Sequence, residues 1–382
     1  MIKIKRVMTR KDLARFIQFY YDLYRGCEQA VPFLYSDETA TLRRDKNPSF
    51  ECCEAEYFLA YRVGDGQDEP TIVGRVAAII NHRANQRWGR QQVRFGWFDF
   101  IDDTEVSDAL LKAVEDWGKE KGMTEIAGPL GFIDTDREGM LIEGFDELST
   151  MYVNYNYPYY QRHIERMGDF VKDNDYLEYK VKVPKVVPEK FSKLTEMVGK
   201  RYGLTVHKFT RRELISEGYG REVFHLLNAT YKDLYGFSEL SQSQIDRLVN
   251  DYIKIADLNL VTAIMDGPKM VGFGVTFPSF SKTMQKTRDG RLLPFGWWHL
   301  LRTLKWHKTD TVDLLLIGVL PEYRSKGANA LIFDDLIRQF QRYGFKWAIT
   351  GPQMESNEGV LSQWQYLESE PCRRHRCYKK EL

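Results

Sequence analysis

The two halves of this 382-residue chain repeat one order of predicted elements, and this duplication limits the fold more than any other feature. Each half holds a strand-like run, a turn and a second strand, followed by a third strand that is almost continuously apolar in the second copy. The first and third predicted strands of the two copies are residues 57–63, 93–101, 258–265 and 312–320. Turns predicted at residues 64–70 and 266–269 close the two hairpins.

An amphipathic helix is predicted after the third strand of each copy. Apolar residues recur at helical spacing over residues 110–117 and again over residues 333–340. Each helix is expected to stop near a glycine, Gly122 or Gly344, because glycine readily adopts the left-handed conformation that ends a helix. A short strand ending in Gly-Pro follows in both copies, so the sequence predicts a mixed α/β unit that occurs twice.

A proline-containing segment separates the two copies. Residues 182–189 hold two prolines, which restrict themselves and the preceding residues to extended conformations. The predicted domains are therefore residues 1–183 and 184–382. This division agrees with a chain of 382 residues at about 150 residues per domain.

The composition excludes several classes of protein. No apolar run reaches the roughly 18 residues that span a bilayer, and the first residues lack the apolar core of a secretory signal. Five cysteines argue against a disulfide framework, so we expect a reducing cytoplasm. The spacing of Cys372, His375 and Cys377 suggests a metal, but a closed zinc site needs four ligands and we expect none. Hydrolase and nucleotide-kinase motifs do not occur in the sequence.

The strand-to-helix turn of the second copy, residues 319–330, carries the clearest functional pattern. It follows the apolar strand, opens a helix and contains Arg324, Lys326 and Gly327. Unpaired N–H groups and the dipole at a helix N-terminus attract anions, so the turn is predicted to hold a pyrophosphate. The net charge of +8 over residues 185–382 favours an anionic ligand but is too small to indicate nucleic-acid binding.

The same turn in the first copy, residues 101–108, has a different character. It is four residues shorter, lacks glycine and carries four carboxylates. Acidic residues cap a helix well but repel a diphosphate. One intact cofactor site in the second copy and one degenerate site in the first copy are therefore expected.

With a strand before it and a helix after it, the second turn resembles motif A of the GNAT superfamily of acyltransferases. That motif, R/Q-x-x-G-x-G/A, cradles the pyrophosphate of coenzyme A; here Asn329 stands in place of the last Gly or Ala. The resemblance extends over nearly the whole chain, to bacterial proteins with two GNAT-like halves. The other segments that carry it are Gly128-Pro129 and residues 138–145, 156–160, 290–296, 355–357 and 374–378.

The resemblance implies an α/β fold of two tandem GNAT-like domains, each a mixed, mostly antiparallel sheet flanked by helices. It also implies that Ile317 and Val319 bond the pantetheine arm through their backbone, and that Asn357 faces the cofactor or acyl site. The residues expected to bind acetyl-CoA or another acyl-CoA are Ile317, Val319, Arg324, Ser325, Lys326, Gly327, Ala328, Asn329, Ala330 and Asn357.

Acyl transfer to an amine needs a group that takes up the amine proton and a group that protonates the departing thiolate. The resemblance points to Asp313, on the fourth strand, for the first role, although an acidic residue at a strand start is more often simply solvated. For the second role it points to Tyr366. The spacing departs from the family, because its tyrosine usually falls where Trp364 stands here.

An insertion at residues 281–311 distinguishes the second copy. It carries seven basic and two acidic side chains together with Phe295, Trp297, Trp298 and Trp306. Three interpretations stay open: a lid over the acceptor groove, an amphipathic element on a membrane surface, or an extra helix packed on the core.

The sequence as a whole predicts an acyl-CoA-dependent N-acyltransferase that acts on a small-molecule or peptide amine. Nucleic acid is not expected as a partner, and the sequence leaves a homodimer open. Two alternatives are an aminoacyl-tRNA-dependent peptidyltransferase, whose RNA partner favours a stronger basic surface, and a non-catalytic module that binds CoA or another ligand.

Overall fold

The computed structural model describes residues 1–64, 70–234 and 236–382, so most of the turn predicted at residues 64–70 lies outside the described residues. The strands are β1 Ile2–Arg6, β2 Cys53–Arg62, β3 Thr71–Asn81, β4 Gln92–Phe100, β5 Glu125–Gly128, β6 Met140–Glu143, β7 Val171–Lys182, β8 Leu204–His207, β9 Val261–Asp266, β10 Lys269–Pro278, β11 Thr311–Val319, β12 Trp347–Thr350, β13 Gln353–Met354 and β14 Ser369–Glu381. The helices are α1 Arg10–Leu23, α2 Tyr35–Leu42, α3 His82–Trp88, α4 Thr104–Glu120, α5 Tyr159–Met167, α6 Glu189–Tyr202, α7 Arg211–Ser216, α8 Tyr219–Tyr231, α9 Gln242–Ile255, α10 Ser281–Met284, α11 Gly296–Trp306, α12 Pro321–Arg324, α13 Ala328–Tyr343 and α14 Glu358–Leu361.

The chain forms two compact units that are not contiguous in sequence. The N-terminal unit comprises Met1–Leu177, Ser281–His299 and Cys372–Leu382. The C-terminal unit comprises Glu178–Phe280 and Leu300–Pro371. The division into domains of residues 1–183 and 184–382 stays a prediction.

A mixed sheet forms the centre of the N-terminal unit. Strands β1, β2, β3 and β4 pair antiparallel in that order, and β5 adds parallel to β4. Helix α4 connects β4 to β5 and packs Leu110, Val114 and Trp117 into the core. The end of the chain completes the sheet, because Tyr378 to Glu381 of β14 pair antiparallel with β5.

The C-terminal unit repeats this plan. Strands β8, β9, β10 and β11 pair antiparallel in that order, and β12 adds parallel to β11. Residues Lys180 to Lys182 of β7 pair antiparallel with the other edge of β12. Helix α13 connects β11 to β12 and buries Ile332, Leu336 and Phe340. The predicted class, a mixed α/β fold that occurs twice, is confirmed.

Two details of the predicted elements are tested by the backbone. The residues after α4 and α13 include Gly122 at φ +76° and Gly344 at φ +72°, so both predicted glycine stops are confirmed. The strand predicted from residue 258 begins only at Val261, because Leu258–Leu260 form a 3₁₀ turn that Asp257 caps.

None of the helices in the described part of the chain has the length and apolar character that crossing a membrane requires.

Candidate acyl-transfer site

Strands β11 and β12 separate partway along their length in the C-terminal unit. Their parallel pairing runs from Thr311 opposite Trp347 to Leu314 opposite Thr350. The Gly351 N–H donates to the Leu314 carbonyl at 2.7 Å, and β11 then continues beyond the pairing. Its next residues up to Ile317 are only half-buried, although the strand is the apolar centre of the sheet. Within the described residues no strand pairs with this side of β11 beyond Leu314, so the separation leaves an open edge.

The backbone direction of β11 determines which groups face this open edge. The Leu320 N–H donates to the Val271 carbonyl at 2.9 Å, so Leu320, Gly318 and Leu316 bond toward β10, up to the bulge between Leu316 and Leu314. Ile317 and Val319 therefore point their N–H and C=O groups toward the open edge. These are the two residues that the resemblance assigned to the pantetheine arm.

Protein groups already bond both of these carbonyl oxygens. The Tyr231 hydroxyl donates to Ile317 at 3.0 Å, and Arg324 Nε donates to Val319 at 3.0 Å. Arg324 Nη2 also donates to the Thr230 carbonyl at 3.1 Å. The Arg324 side chain therefore supports the turn as well as adding positive charge to it. Tyr231 and Thr230, at the end of α8, were missed because no motif marks them in the sequence.

Gly327 forms the junction between the turn and helix α13. Its φ of +82° lies in the left-handed region, where a side chain is strained. A Cβ there would lie 3.2 Å from Val198 Cγ2 and 3.3 Å from Leu194 Cδ1, both on α6. The first turn of α13 follows with Ala328 and Ala330 buried and Asn329 half-buried. The Ala330 N–H donates to the Gly327 carbonyl at 2.9 Å, which leaves the N–H groups of Ala328 and Asn329 as the two at the helix start without an acceptor inside the helix.

The remaining candidate residues of the cofactor site, Ser325, Lys326 and Asn357, are exposed or half-buried. Ser325 is exposed, and the half-buried Lys326 places Nζ 4.0 Å from the centre of the Tyr323 ring. The Tyr323 hydroxyl donates to Asp266 at 2.7 Å, which raises the pKa of the phenol. Asn357 is half-buried just after β13, with its N–H bonded to the Met354 carbonyl at 2.9 Å. The binding roles of these residues stay predictions.

The two candidate catalytic residues differ in their surroundings. Asp313 is 2% exposed and lies opposite Phe277 on β10 and Ile349 on β12. Its interpretation as a solvated residue at a strand start is wrong, because strands flank it on both sides. Asp313 lies one residue before the point where β11 and β12 separate.

Tyr366 lies at the surface beside α6. Its side chain is 48% exposed, and Lys190 Nζ lies 3.3 Å from the centre of its ring. Trp364, at the position where the family usually has tyrosine, is buried and donates from its indole to Gln353 Oε1 at 2.8 Å. The catalytic roles of Asp313 and Tyr366 stay predictions.

The equivalent edge in the N-terminal unit is filled by its own chain. Pairing of β4 with β5 ends at Arg94 opposite Ala127. The Leu130 N–H then donates to the Phe95 carbonyl at 2.8 Å, and a Cβ at Gly96 would lie 2.4 Å from the Leu130 carbonyl oxygen. The loop after β5 thus occupies the space that stays open beside β11.

The acidic turn of the N-terminal unit forms ion pairs in addition to capping α4. Asp102 accepts from His163 Nε2 at 2.9 Å, and Asp103 and Asp108 pair with Arg62 and Arg166. Asp103 also caps the helix by accepting from the Glu105 N–H. These carboxylates leave no cationic cradle at this helix start.

A polar cavity of about 140 Å³ lies within the N-terminal unit. A buried ion pair joins Arg75 to Asp99 at 2.7 Å, and a second pair joins Arg137 to Glu38 at 2.6 Å. Trp97, at φ +45° in a bulge of β4, donates from its indole to Glu38 at 2.9 Å. The charged side chains that line the cavity are thus largely neutralised by one another.

Comparison with known proteins agrees with this architecture. No protein-family model matches the chain. The chain is 27% identical to protein YghO of Escherichia coli (strain K12), over 99% of this chain and 95% of that protein. It is 25% identical to a bacterial ceramide synthase of Caulobacter vibrioides (strain NA1000 / CB15N), over 98% of this chain and 96% of that protein.

Among solved structures, the model is similar to a tandem GNAT protein from the clavulanic acid biosynthesis pathway. The TM-score is 0.56 at 11% sequence identity, and the match covers 100% of this chain and 98% of that chain. The expectation drawn from the strand-to-helix turn and its flanking elements is thereby confirmed: this chain has the tandem GNAT fold.

Proposed function

We propose that this chain transfers an acyl group from a CoA thioester to an amine, with the thioester held by the C-terminal unit. The GNAT fold supports acyl transfer in general. The observation that carries the proposal is the open edge of β11, whose last residues, Ile317 and Val319, lead through the turn to the start of α13 at Gly327. A long thioester arm can lie along such an edge while its phosphates meet the helix N-terminus.

The charge around this turn supports the same ligand. Arg324 and Lys326 add two positive charges next to the leading N–H groups of α13. The corresponding helix start in the N-terminal unit carries paired carboxylates, and the Leu130 loop fills the edge beside β4. This contrast favours one cofactor site per chain, in the C-terminal unit.

The chemistry of the proposed step balances without a further reactant. Bound acyl-CoA supplies an acyl carbon activated as a thioester. The acceptor nitrogen forms the new amide bond to that carbon while the carbon–sulfur bond breaks, and the amine proton leaves to a base as the thiolate gains one. We assign the base to Asp313, because it lies one residue before the point where the strands separate.

One relative and the apolar side chains beside the open edge of β11 support a class of acceptor. A ceramide is the amide of a fatty acid and a long-chain amine, and a relative that is 25% identical over 98% of this chain is named a bacterial ceramide synthase. The side chains of Leu315 and Leu316, just beyond the pairing of β11 with β12, are apolar and half-buried, as a binding surface for aliphatic chains requires. We therefore propose a fatty acyl-CoA as donor and a long-chain amine as acceptor.

Calorimetric titration of the full chain with acetyl-CoA and with palmitoyl-CoA tests the cofactor site. Gly327→Glu places a carboxylate at the start of α13, whereas Gly344→Glu places one at the far end of the same helix. The two glycines share the left-handed conformation (φ +82° and +72°), and a Cβ at Gly344 has no atom within 4 Å. The second variant is therefore a control for the left-handed conformation and the added charge, and far-ultraviolet circular dichroism checks that Gly327→Glu, whose Cβ would lie 3.2 Å from Val198, still folds.

One binding site per chain, lost in Gly327→Glu and kept in Gly344→Glu, would support the proposed cofactor site. Equal loss in both variants, or binding that neither variant changes, would contradict it. Mass spectrometry of the amide formed from palmitoyl-CoA and sphinganine then tests the reaction, with Asp313→Asn as the variant expected to lose it. Binding without turnover of any amine would favour the non-catalytic alternative.

A further inference from the structure

Large apolar side chains project from the N-terminal unit in one short segment. We call residues 292–298 the aromatic loop; they lead into and begin helix α11. Leu293 is 76% exposed and Phe295 73%, whereas Trp297 and Trp298 are 48% and 44% exposed. Single exposed apolar residues are common on soluble proteins, but four within six positions form a patch that points to an interaction.

The conformation of the aromatic loop is fixed by its own hydrogen bonds. The Trp297 N–H donates to the Leu292 carbonyl at 2.8 Å, and the Trp298 N–H donates to Phe295 at 3.1 Å. The Trp297 indole N–H donates to the Pro294 carbonyl at 3.0 Å, and the two indole rings pack edge to face. The backbone of the loop and its two indole rings are therefore ordered before any partner arrives, which lowers the entropy cost of binding.

The residues before the loop attach it firmly to the rest of the N-terminal unit. The Tyr35 N–H donates to the Gly290 carbonyl at 3.1 Å, and a Cβ at Gly290 would lie 1.7 Å from the Phe33 carbonyl oxygen. Gln285 Nε2 donates to the Glu28 carbonyl at 2.6 Å, and Arg291 lies 3.8 Å over the Tyr35 ring. The residues before the loop thus pack through their backbone, their polar side chains and the buried Met284, whereas the large apolar side chains of the loop itself are exposed.

The segment that carries the aromatic loop is basic. The part of the insertion within the N-terminal unit, Ser281–His299, contains four lysines and arginines and one carboxylate. That carboxylate, Asp289, is paired with Arg25 and Arg291, each at 3.2 Å. Lys282, Lys286 and Arg288 are exposed. The Ser281–His299 segment therefore carries a net positive charge.

We propose that the aromatic loop binds the surface of an anionic lipid bilayer. Interfacial segments bind at the boundary between headgroups and acyl chains through tryptophan and phenylalanine, with lysine and arginine beside them. The lysines and arginines of the same segment add electrostatic attraction to anionic headgroups. This inference does not depend on the proposed acyl transfer, since it rests on exposure, rigidity and charge outside the C-terminal unit.

Sedimentation of the full chain with sucrose-loaded vesicles tests the proposal. We expect binding to vesicles of phosphatidylcholine mixed with phosphatidylglycerol, weaker binding to phosphatidylcholine alone, and a blue shift of tryptophan emission on binding. Leu293→Ser combined with Phe295→Ser should lower the partition coefficient roughly tenfold or more, because both side chains would enter the bilayer boundary. Met8→Ser, at a residue that is 77% exposed in the same unit, is the matched control.

Charge is tested separately. Lys286→Glu combined with Arg288→Glu should weaken binding to anionic vesicles and leave any binding to phosphatidylcholine unchanged. Lys112→Glu combined with Lys119→Glu makes the same charge change on the exposed side of α4 and should have little effect. The protein's far-ultraviolet circular dichroism checks that each variant folds.

Three results would overturn the proposal. The first is no sedimentation of the wild-type chain with anionic vesicles at low salt. The second is equal loss in the aromatic-loop variants and their controls. The third is analytical ultracentrifugation in which the aromatic-loop variants dissociate a dimer without any change in vesicle binding, which would assign the loop to contact between two copies of the chain.

Discussion

The hydroxyl of Tyr231 donates to the carbonyl oxygen of Ile317 at 3.0 Å, on the edge of β11 that faces away from β10. Burial raises the pKa of this phenol, so it remains a hydrogen-bond donor at all physiological pH values. This carbonyl, which was expected to receive a pantetheine arm, is therefore already bonded, as is the carbonyl of Val319 by Arg324. A ligand amide at Ile317 would have to share or displace this donor.

Tyr231→Phe should reveal whether the ligand uses that carbonyl. Leaving a buried acceptor without its donor costs about 1–3 kcal/mol in the free energy of unfolding, measured by urea denaturation. If the pantetheine amide bonds Ile317, acyl-CoA should restore part of this loss and stabilise the variant more than it stabilises the wild type. Tyr57→Phe removes a comparable bond to the Leu42 carbonyl, 2.9 Å long, in the other unit. An equal ligand-induced gain in Tyr231→Phe and Tyr57→Phe would show that Ile317 is not used.

The buried pair of Arg75 and Asp99 should be costly to break and much less costly to remove. Arg75→Met leaves the Asp99 carboxylate buried without its cation, which we expect to cost about 3–5 kcal/mol in urea denaturation. The double variant Arg75→Met/Asp99→Leu should lose less than the sum of the two single variants. Lys112→Met breaks the exposed pair with Asp116 and should cost at most about 0.5 kcal/mol. Strictly additive single losses would contradict a coupled pair.

Stability should fall as the pH rises toward 8 because of Glu138. Burial, together with the negative charge of Asp134, raises the pKa of this carboxyl to about 8 from an ordinary value near 4.5. Between these values the native state holds a proton that the unfolded chain has lost, so the stabilisation is complete below pH 4.5 and is lost as the pH rises through 8. Glu138→Gln should therefore be more stable than the wild type at pH 8 by about 1–3 kcal/mol, with the difference closing toward pH 5.

Urea denaturation at a series of pH values checks this prediction. Glu105→Gln, on the exposed first turn of α4, is the control and should follow the wild-type profile. A Glu138→Gln profile parallel to that of the wild type across pH 5 to 8 would rule out an effect of this carboxyl.

The adjacent thiols of Cys52 and Cys53 should differ sharply in reactivity. Their sulfurs lie 3.9 Å apart, and the hydrogen bond from Cys53 lowers the pKa of Cys52 to about 7, whereas burial and the same bond raise that of Cys53. Iodoacetamide at pH 7 should therefore modify Cys52 about tenfold faster than an ordinary thiol. Cys53→Ala should slow that reaction at pH 7, and Cys53→Ser, which keeps a donor, should restore much of it. Peptide mapping by mass spectrometry measures the rates, and modification of Cys53 before Cys52 would contradict the assignment.

Local pattern was enough to predict most elements and the repetition of the fold. The apolar run at residues 312–320 became β11, and the helical spacing at 110–117 and 333–340 became α4 and α13. Gly122 and Gly344 end these helices because the left-handed conformation is cheapest for glycine. These features depend on neighbours close in sequence, so periodicity and capping chemistry determine them.

Pairings between distant parts of the chain were not predictable in this way. The last strand returns to pair Tyr378 with Gly128 and completes the N-terminal sheet. Ser281–His299, read in sequence as an insertion of the second copy, packs instead with the N-terminal unit. No local signal identifies which edge a strand will pair with, because the hydrogen bonds of every strand edge are chemically the same.

The sequence by itself determined that the chain holds two α/β copies and that one strand-to-helix turn, at Arg324 to Asn329, is basic and contains glycine. Only the tertiary structure decided that Asp313 is buried between two strands, that Tyr366 lies at the surface, and that Tyr231 and Arg324 bond the open edge of β11. The reason is physical. Periodicity and propensity act between residues a few positions apart, whereas burial and hydrogen-bond partners depend on which distant segments fold against them.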